Sequence, residues 1–282
     1  MPDQQELTDI SYFPGCSLAT SAKESNQALV RVCRNLGYRL VELKDWNCCG
    51  SSSAHSIDSD LAFRLTSRTL SLAPEGMPLL VACPSCMLNL RQTQIRLETD
   101  AAASDDFGQR WQRPVDGNLK ILHLFELLDK ESDQFPDAAL SGLRFVPYYG
   151  CMLAGPPSLR NEKSYYGLMQ KILKRCGAEP LPWNESAKCC GTFLSVSSPE
   201  VVEPMVNRIV QSAVDSGADC IVTACAMCHL NLEIRCTLDT KVPIFHFSEL
   251  LALAFKFDVD RSWFSRHLID PVPMLKKKGL WP

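Results

Sequence analysis

The chain has 282 residues, 46% of them hydrophobic and 22% charged, with a formal net charge of −3. That length suits two domains or one duplicated fold, and that balance is ordinary for a globular protein and gives no footing for a nucleic-acid binder. No run of 18 apolar residues marks a membrane span, and Met1 to Asp9 is polar and acidic, unlike a signal peptide, so the expected location is the cytoplasm.

In chain order, Ile10 to Phe13 reads as a short strand ending at Gly15-Cys16, and Asn26 to Leu36 as a helix. Arg39 to Leu43 is a strand that runs into Trp46-Asn47-Cys48-Cys49-Gly50. Asp58 to Leu72 has helical periodicity, and Leu79 to Ala82 is a strand leading into Cys83. The polar stretch Glu98 to Asn118 reads as an inserted loop or irregular excursion. The order then repeats, with strands at Leu143 to Tyr148 and Cys220 to Thr223 and helices at Tyr165 to Arg175 and Glu200 to Ser216. Strands alternating with helices predict an α/β fold of two repeated Rossmann-like units with parallel sheets, the first over 1–140 and the second over 141–282 with a C-terminal tail.

The repeat is sharpest in the cysteines. Cys16 is followed after 31 residues by Cys48-Cys49-Gly50, and after 33 more by Cys83-Pro84-Ser85-Cys86. Cys151 is followed after 37 residues by Cys189-Cys190-Gly191, and after 34 more by Cys225-Ala226-Met227-Cys228. Cys86-Met87-Leu88-Asn89-Leu90 matches Cys228-His229-Leu230-Asn231-Leu232, and the block from Ile121 to Leu128 matches Ile244 to Leu251. Ten of the fourteen cysteines recur in this way. Cys33, Cys176, Cys220 and Cys236 do not, and read as small buried apolar side chains. Each recurring group follows a predicted strand, so all should converge at the carboxyl rim of a sheet, where ligands gather in such folds. Gly15, Gly50, Gly150 and Gly191 beside them would let backbone approach a bulky group.

Three chemistries compete for these thiols. Disulfides suit neither a reducing compartment nor adjacent Cys-Cys pairs. Zinc takes four ligands, so five per unit leaves one over, although zinc at one of the two sites stays open. An ordinary cubane cluster also needs four, and five suggests an iron–sulfur cluster that departs from the cubane. No ferredoxin cysteine run and no glycine-rich dinucleotide fingerprint accompanies them, so electrons would come from elsewhere.

The pattern of Cys16, Cys48-Cys49-Gly50, Cys83 and Cys86, repeated as Cys151, Cys189-Cys190-Gly191, Cys225 and Cys228, resembles the CCG signature of the B-type subunit of heterodisulfide reductase. The ending Leu268-Ile269-Asp270-Pro271 through Gly279-Leu280 is similar to that family's tail. The resemblance implies two non-cubane [4Fe–4S] clusters, one held by Cys16, Cys48, Cys49, Cys83 and Cys86, the other by Cys151, Cys189, Cys190, Cys225 and Cys228. It also implies that the clusters face one another across a pseudo-twofold, with a disulfide cleaved between them and each sulfur captured at a cluster iron. A C-type iron–sulfur subunit and an A-type flavin subunit would exchange the electrons. A thiol, a disulfide or a carrier-bound sulfur would be the substrate, in either direction. The rival expectation is a CCG electron-transfer or anchor subunit of a succinate dehydrogenase or fumarate reductase.

His55 and His229 lie close to cysteine groups and are the candidate proton donors to a leaving thiolate, or else hydrogen-bonding groups that fix the loops. His123 and His246 recur ahead of a helix carrying Glu, which points to a structural hydrogen bond. Lys276 to Lys278 reads as a solvated tail, with a partner contact as the alternative.

Overall fold

The computed structural model describes residues 6–51, 54–154, 164–239, 242–258 and 261–281, apart from the side chains of His55, Ala154 and Arg261. In the first half, β1 (Thr8–Phe13) leads into α1 (Cys16–Ala19) and α2 (Lys23–Asn35), and β2 (Tyr38–Glu42) into α3 (Ala54–Ile57) and α4 (Ser59–Ser71). There follow β3 (Leu79–Val81), α5 (Pro84–Thr99), α6 (Ala101–Trp111), β4 (Ile121–His123) and α7 (Leu124–Lys130). The second half runs β5 (Arg144–Tyr148), α8 (Leu168–Arg175), β6 (Glu179–Pro180), α9 (Pro199–Asp215), β7 (Cys220–Thr223), α10 (Ala226–Ile234), β8 (Ile244–His246) and α11 (Phe247–Ala254), and then α12 (Val272–Lys277).

The strands form two parallel four-stranded sheets of the same order, β2-β1-β3-β4 and β6-β5-β7-β8. Their register places Ile10 opposite Leu40 and Val146 opposite Ile221. In each sheet the order reverses beside the first strand, which creates a crevice at the carboxyl ends of β1 and β3, or of β5 and β7. Pro147 sits inside the central strand β5 without disrupting it. Leu181 N donates to Phe145 O, so the edge of β5 at Pro147, two residues on, points to where β6 has already ended. A missing N–H there removes no ladder bond.

Each sheet has helices on both faces. The outer faces carry separate cores, one around Leu79, Val81, Met87 and Phe107, the other around Val146, Val206, Ile209 and Ile221. The inner faces share one continuous core to which both halves contribute: Leu29, Val32 and Phe125 from the first, Leu173, Phe247 and Leu251 from the second. Here α2 packs on α11 and α7 on α8. Phe125 meets Phe247 at 4.9 Å between ring centroids. The recurring histidines cap helices, in keeping with their place in the repeat. His123 N donates to Glu126 Oε1 at 3.0 Å and His246 N to Glu249 Oε2 at 2.8 Å, each glutamate lying three residues into its helix. Both glutamates also reach across the pseudo-twofold: Tyr165 Oη donates to Glu126 Oε1 at 2.9 Å, and Ser25 Oγ to Glu249 Oε1 at 3.2 Å.

Two sequence readings are corrected. The stretch from Glu98 to Asn118 is largely helical rather than irregular. Asp100 ends α5 and caps α6, accepting from Ala102 N at 3.0 Å and Ala103 N at 3.2 Å. Ala103 and Phe107, four residues apart, then bury against the outer core, with Trp111 partly buried beside them. In the lysine tail Lys276 and Lys277 are exposed as expected, and only Lys278 departs from the reading. Leu275 is fully buried, and Lys278 Nζ lies 2.6 Å from Asp219 Oδ2 and donates to Gly142 O at 2.9 Å. The apolar anchors Val272 and Leu275 seat α12 and bring Lys278 to its partners. Among the described residues no helix is long and apolar enough to cross a membrane.

Candidate iron–sulfur site

The carboxyl rims of the two sheets collect the ten recurring cysteines, five at each. Cys16 opens α1 just after β1, Cys48 and Cys49 follow β2, and Cys83 is the N-cap of α5, which carries Cys86 one turn in. The second half repeats this with Cys225 capping α10. In the first unit Cys48 Sγ lies 3.5 Å from Cys16 Sγ, and Cys49 Sγ 3.2 Å from Cys86 Sγ. In the second, Cys190 Sγ lies 3.5 Å from Cys228 Sγ, and Cys151 and Cys189 line the same cavity. Backbone N–H groups point at the rim: Gly50 N donates to Cys48 Sγ at 3.5 Å and Gly191 N to Cys189 Sγ at 3.3 Å.

The two thiol sets meet. Cys83 of the first unit and Cys225 of the second, the N-caps of α5 and α10, are near enough to shift one another's titration, and Pro84 and Ser85 of α5 line the cavity of the second set. This crowding redistributes protons. Hydrogen bonds from Cys48 and Cys86 bring the Cys49 thiol down to about 5, and one from Cys151 brings Cys189 down to about 6. The Cys225 contact, followed by that of Cys86, holds Cys83 well below the ordinary thiol range. Cys86 and Cys228 are pushed up, first by their Cys49 and Cys190 neighbours. A set in which some thiols ionise readily beside others that do not is suited to binding a cationic group, since thiolate is the ligand form.

Two glycines make room for the sulfurs. Gly15 has φ +75° and ψ 163°, and a Cβ there would stand 2.9 Å from Cys86 Sγ; at Gly150 (φ +69°) it would stand 3.3 Å from Cys228 Sγ. Gly50 and Gly191 serve differently from the expectation that they face a bulky group. A Cβ at Gly50 would meet Ala54 Cβ at 2.8 Å and Leu65 Cδ1 at 2.9 Å, and one at Gly191 would meet Val202 Cγ2 at 3.1 Å, so these two let the Cys-Cys turn pack onto the next helix.

A cavity of about 240 Å³ opens beside the second set. All five of its cysteines line it, together with Pro84 and Ser85 of the first unit and an apolar wall that includes Met205, Met227 and Phe193. Such a volume, ringed by five thiols, is far larger than one ion needs and fits the bulk of an iron–sulfur cluster. The four unmatched cysteines stand apart. Cys33, Cys176 and Cys220 are fully buried and Cys236 nearly so, and desolvation drives the Cys33 and Cys176 thiols up to about 12, which makes them inert packing groups.

Neither histidine singled out as a proton donor lines this cavity among the described side chains. His55 falls in α3, and its side chain lies outside the described residues. His229 lines a separate groove, with Nε2 3.7 Å from Glu233 Oε1. Two supports are not evident from the cysteine pattern. Asn89 Nδ2 donates to Cys49 O at 3.3 Å and Asn231 Nδ2 to Cys190 O at 2.7 Å, so each CxxC helix holds the Cys-Cys turn of its own unit. Their recurrence three residues after the last cysteine is the signal that marks them. Trp46 packs edge-on against Phe13 at 5.2 Å, and Trp183 tilts against Tyr148 at 6.0 Å, steadying the same turns.

Comparison with known proteins agrees with this geometry. The profile of the CCG family, described as a cysteine-rich domain, matches residues 10–91 and again 146–233. The chain is 27% identical to the 8-methylmenaquinol:fumarate reductase membrane anchor subunit of Wolinella succinogenes, covering 93% of this chain and 97% of that one. It is 25% identical to the B-type subunit of a CoB-CoM heterodisulfide reductase of Methanosarcina acetivorans, covering 96% and 97%. In fold it resembles a hypothetical protein from Helicobacter pylori, with a TM-score of 0.74 at 11% identity over 92% of this chain and 51% of that one. With ten cysteines gathered at two matching rims and the family profile matched twice, the chain belongs to the CCG cysteine-rich domain family and is a relative of the B-type subunit of heterodisulfide reductase.

Proposed function

We propose that the chain is the sulfur-acting iron–sulfur subunit of a multisubunit oxidoreductase. It would hold two non-cubane [4Fe–4S] clusters, and it would reduce, or in reverse form, a disulfide or related sulfur bond. The observation that carries this reading is the gathering of two matching five-thiol sets at neighbouring rims, with Pro84 and Ser85 of the first unit lining the cavity of the second set. Reducing a disulfide takes two electrons and two protons and yields two thiols, so two one-electron centres flanking one bond match the stoichiometry. When bound, the clusters supply one-electron transfer and thiophilic iron.

The chain's own groups do the rest. Cys16, Cys48, Cys49, Cys83 and Cys86 form one ligand set, and Cys151, Cys189, Cys190, Cys225 and Cys228 the other. Asn89 and Asn231 hold the Cys-Cys turns. Met205, Met227 and Phe193 keep water from the second site and favour a substrate with little charge near its sulfur. The relatives work in complexes, as their names say, and electrons would come here through an iron–sulfur partner and a flavin partner. His55, in α3 just beyond the Cys-Cys-Gly turn, is the proposed proton donor, while His229 lines a separate groove.

The second reading is an electron-transfer or anchor subunit. Phe193, Leu194 and Val196, just past Cys189-Cys190, are 41%, 45% and 93% exposed, and such an apolar rim would suit a partner or a membrane surface. Anaerobic purification should give about eight irons per chain. Electron paramagnetic resonance of the oxidised protein should then shift when thiols or disulfides are added. Full iron content with no response to a panel of both would refute sulfur chemistry and leave the anchor reading standing.

A further inference from the structure

One cluster of buried polar groups lies outside both thiol sets. His229 and Glu233 share a face of α10, and His267 comes from the C-terminal segment. One ligand atom from each lies within 4.8 Å of the others. Glu233 Oε1 stands 3.6 Å from His267 Nδ1 and 3.7 Å from His229 Nε2. Those separations are too long for hydrogen bonds and too short to admit a water between. They are close to the roughly 3.4 Å that separates ligands bonded at about 2.0–2.1 Å to one tetrahedral ion.

The atoms are oriented for a cation. Glu233 is 1% exposed in its side chain and His267 3%, yet Glu233 Oε1 and His267 Nδ1 have no hydrogen-bond partner among the described residues. Glu233 is aimed by its other oxygen, which accepts from Leu268 N at 2.9 Å. His267 is aimed by its other nitrogen, Nε2, which lies 3.2 Å from Glu249 Oε1. With the ring proton on Nε2, towards Glu249, the Nδ1 lone pair faces the Glu233 carboxylate at 3.6 Å. Two acceptors turned on one another need a positive charge between them. A carboxylate behind a histidine is the usual outer support of a metal-bound imidazole.

The repeat shows that the fold does not require this cluster. At the matching positions in α5 the first unit has Met87 and Arg91 in place of His229 and Glu233. Its Glu126, the counterpart of Glu249, takes a tyrosine hydroxyl where Glu249 takes a histidine. The neighbouring cation is already engaged, Arg266 lying 3.3 Å from Glu24 and donating to Thr20 O at 2.8 Å. A groove of about 30 Å³ beside the cluster has room for a water.

We propose that His229, Glu233 and His267 form a zinc site, with three protein ligands and a fourth position open to this groove. The ion ties the C-terminal segment to the helix that bears Cys225 and Cys228. The test uses the full chain purified anaerobically with its iron, incubated with zinc and washed with a mild chelator. Metal analysis should find about one zinc per chain beyond the iron, and Zn K-edge absorption should show nitrogen and oxygen neighbours near 2.0–2.1 Å with no sulfur near 2.3 Å. Glu233→Gln and His267→Ala should each lose the zinc and keep the iron. Absence of zinc from the wild type would overturn the proposal and leave a protonated His267 bridging two carboxylates. Sulfur neighbours, which would mean zinc in a cysteine set, or zinc retained by both variants, would overturn it equally. The absorption measurement on the wild type decides the matter even if a variant fails to fold.

Discussion

Replacing Gly15 by alanine should empty the first thiol set of iron while leaving the second filled. The backbone at Gly15, with φ +75° and ψ 163°, is in a region that only glycine occupies readily, which costs about 1–3 kcal/mol for any other residue. The new Cβ would also stand 2.9 Å from Cys86 Sγ, closer than a carbon and a sulfur approach without displacement. Cys86 is buried against Cys49 at 3.2 Å and cannot swing away without breaking the ligand set, so overpacking adds about 1–3 kcal/mol. Gly37→Ala is the control. Its φ is +87°, but nothing lies within 4 Å of the added Cβ, so only the backbone cost of about 1–2 kcal/mol applies. Iron analysis and urea denaturation of both variants, made anaerobically, separate the two effects. Gly15→Ala should lose about half the iron. Gly37→Ala should keep it all and shift only the denaturation midpoint. Full iron in Gly15→Ala, with a midpoint equal to that of Gly37→Ala, would refute the claim that this glycine exists to admit the Cys86 sulfur.

Asn231→Ala removes the amide that donates to Cys190 O at 2.7 Å and leaves a buried carbonyl unpaired, at a cost of about 1–3 kcal/mol; iron should leave the second site faster under chelator, and an unchanged rate would count against the strut. His123 and His246 are both buried neutral, desolvation holding each at about 4. The unfolded chain therefore takes up protons between about pH 6.5 and 4 that the folded chain refuses. Stability is complete above about pH 6.5 and falls with pH, by about 2 kcal/mol per histidine at about pH 5. His123→Asn, which keeps a capping side chain, should remove about half of that fall in the urea midpoint measured from about pH 7.5 to 5, and an unaltered pH slope would show that His123 is not its source.

The helices and strands are legible where burial imposes a period. Ala28, Leu29, Val32 and Cys33 bury one face of α2, and the sequence pattern omits its first turn from Lys23, where the buried residue is the polar Ser25. The pattern over α8 starts three residues before the helix does, because Gly167 with φ +88° delays the helix to Leu168 and leaves Tyr165 to reach Glu126. The helix α6 is obscured by its polar surface, since Ala103 and Phe107 are too few to mark a stripe, and the Asp100 cap that starts it is a weak signal by itself. The strands β4 and β8, three residues each, are too short to read without their neighbours.

The sequence by itself singled out the ten cysteines that gather after the strands and the four that are buried apart from them, because duplication preserves spacing. It also placed the cysteines after strands, from which a shared rim follows. Only the tertiary structure decided how the sets meet. The approach of α5 to the second thiol set, whose cavity Pro84 and Ser85 line, depends on two sheets packing back to back through α2, α7, α8 and α11, and no local pattern encodes the distance between residues so far apart in the chain. The same is true of His229, Glu233 and His267. Two of them share a helix face that spacing reveals, but the third arrives from a segment whose path is set by the burial of Phe264, Val272 and Leu275 in the common core.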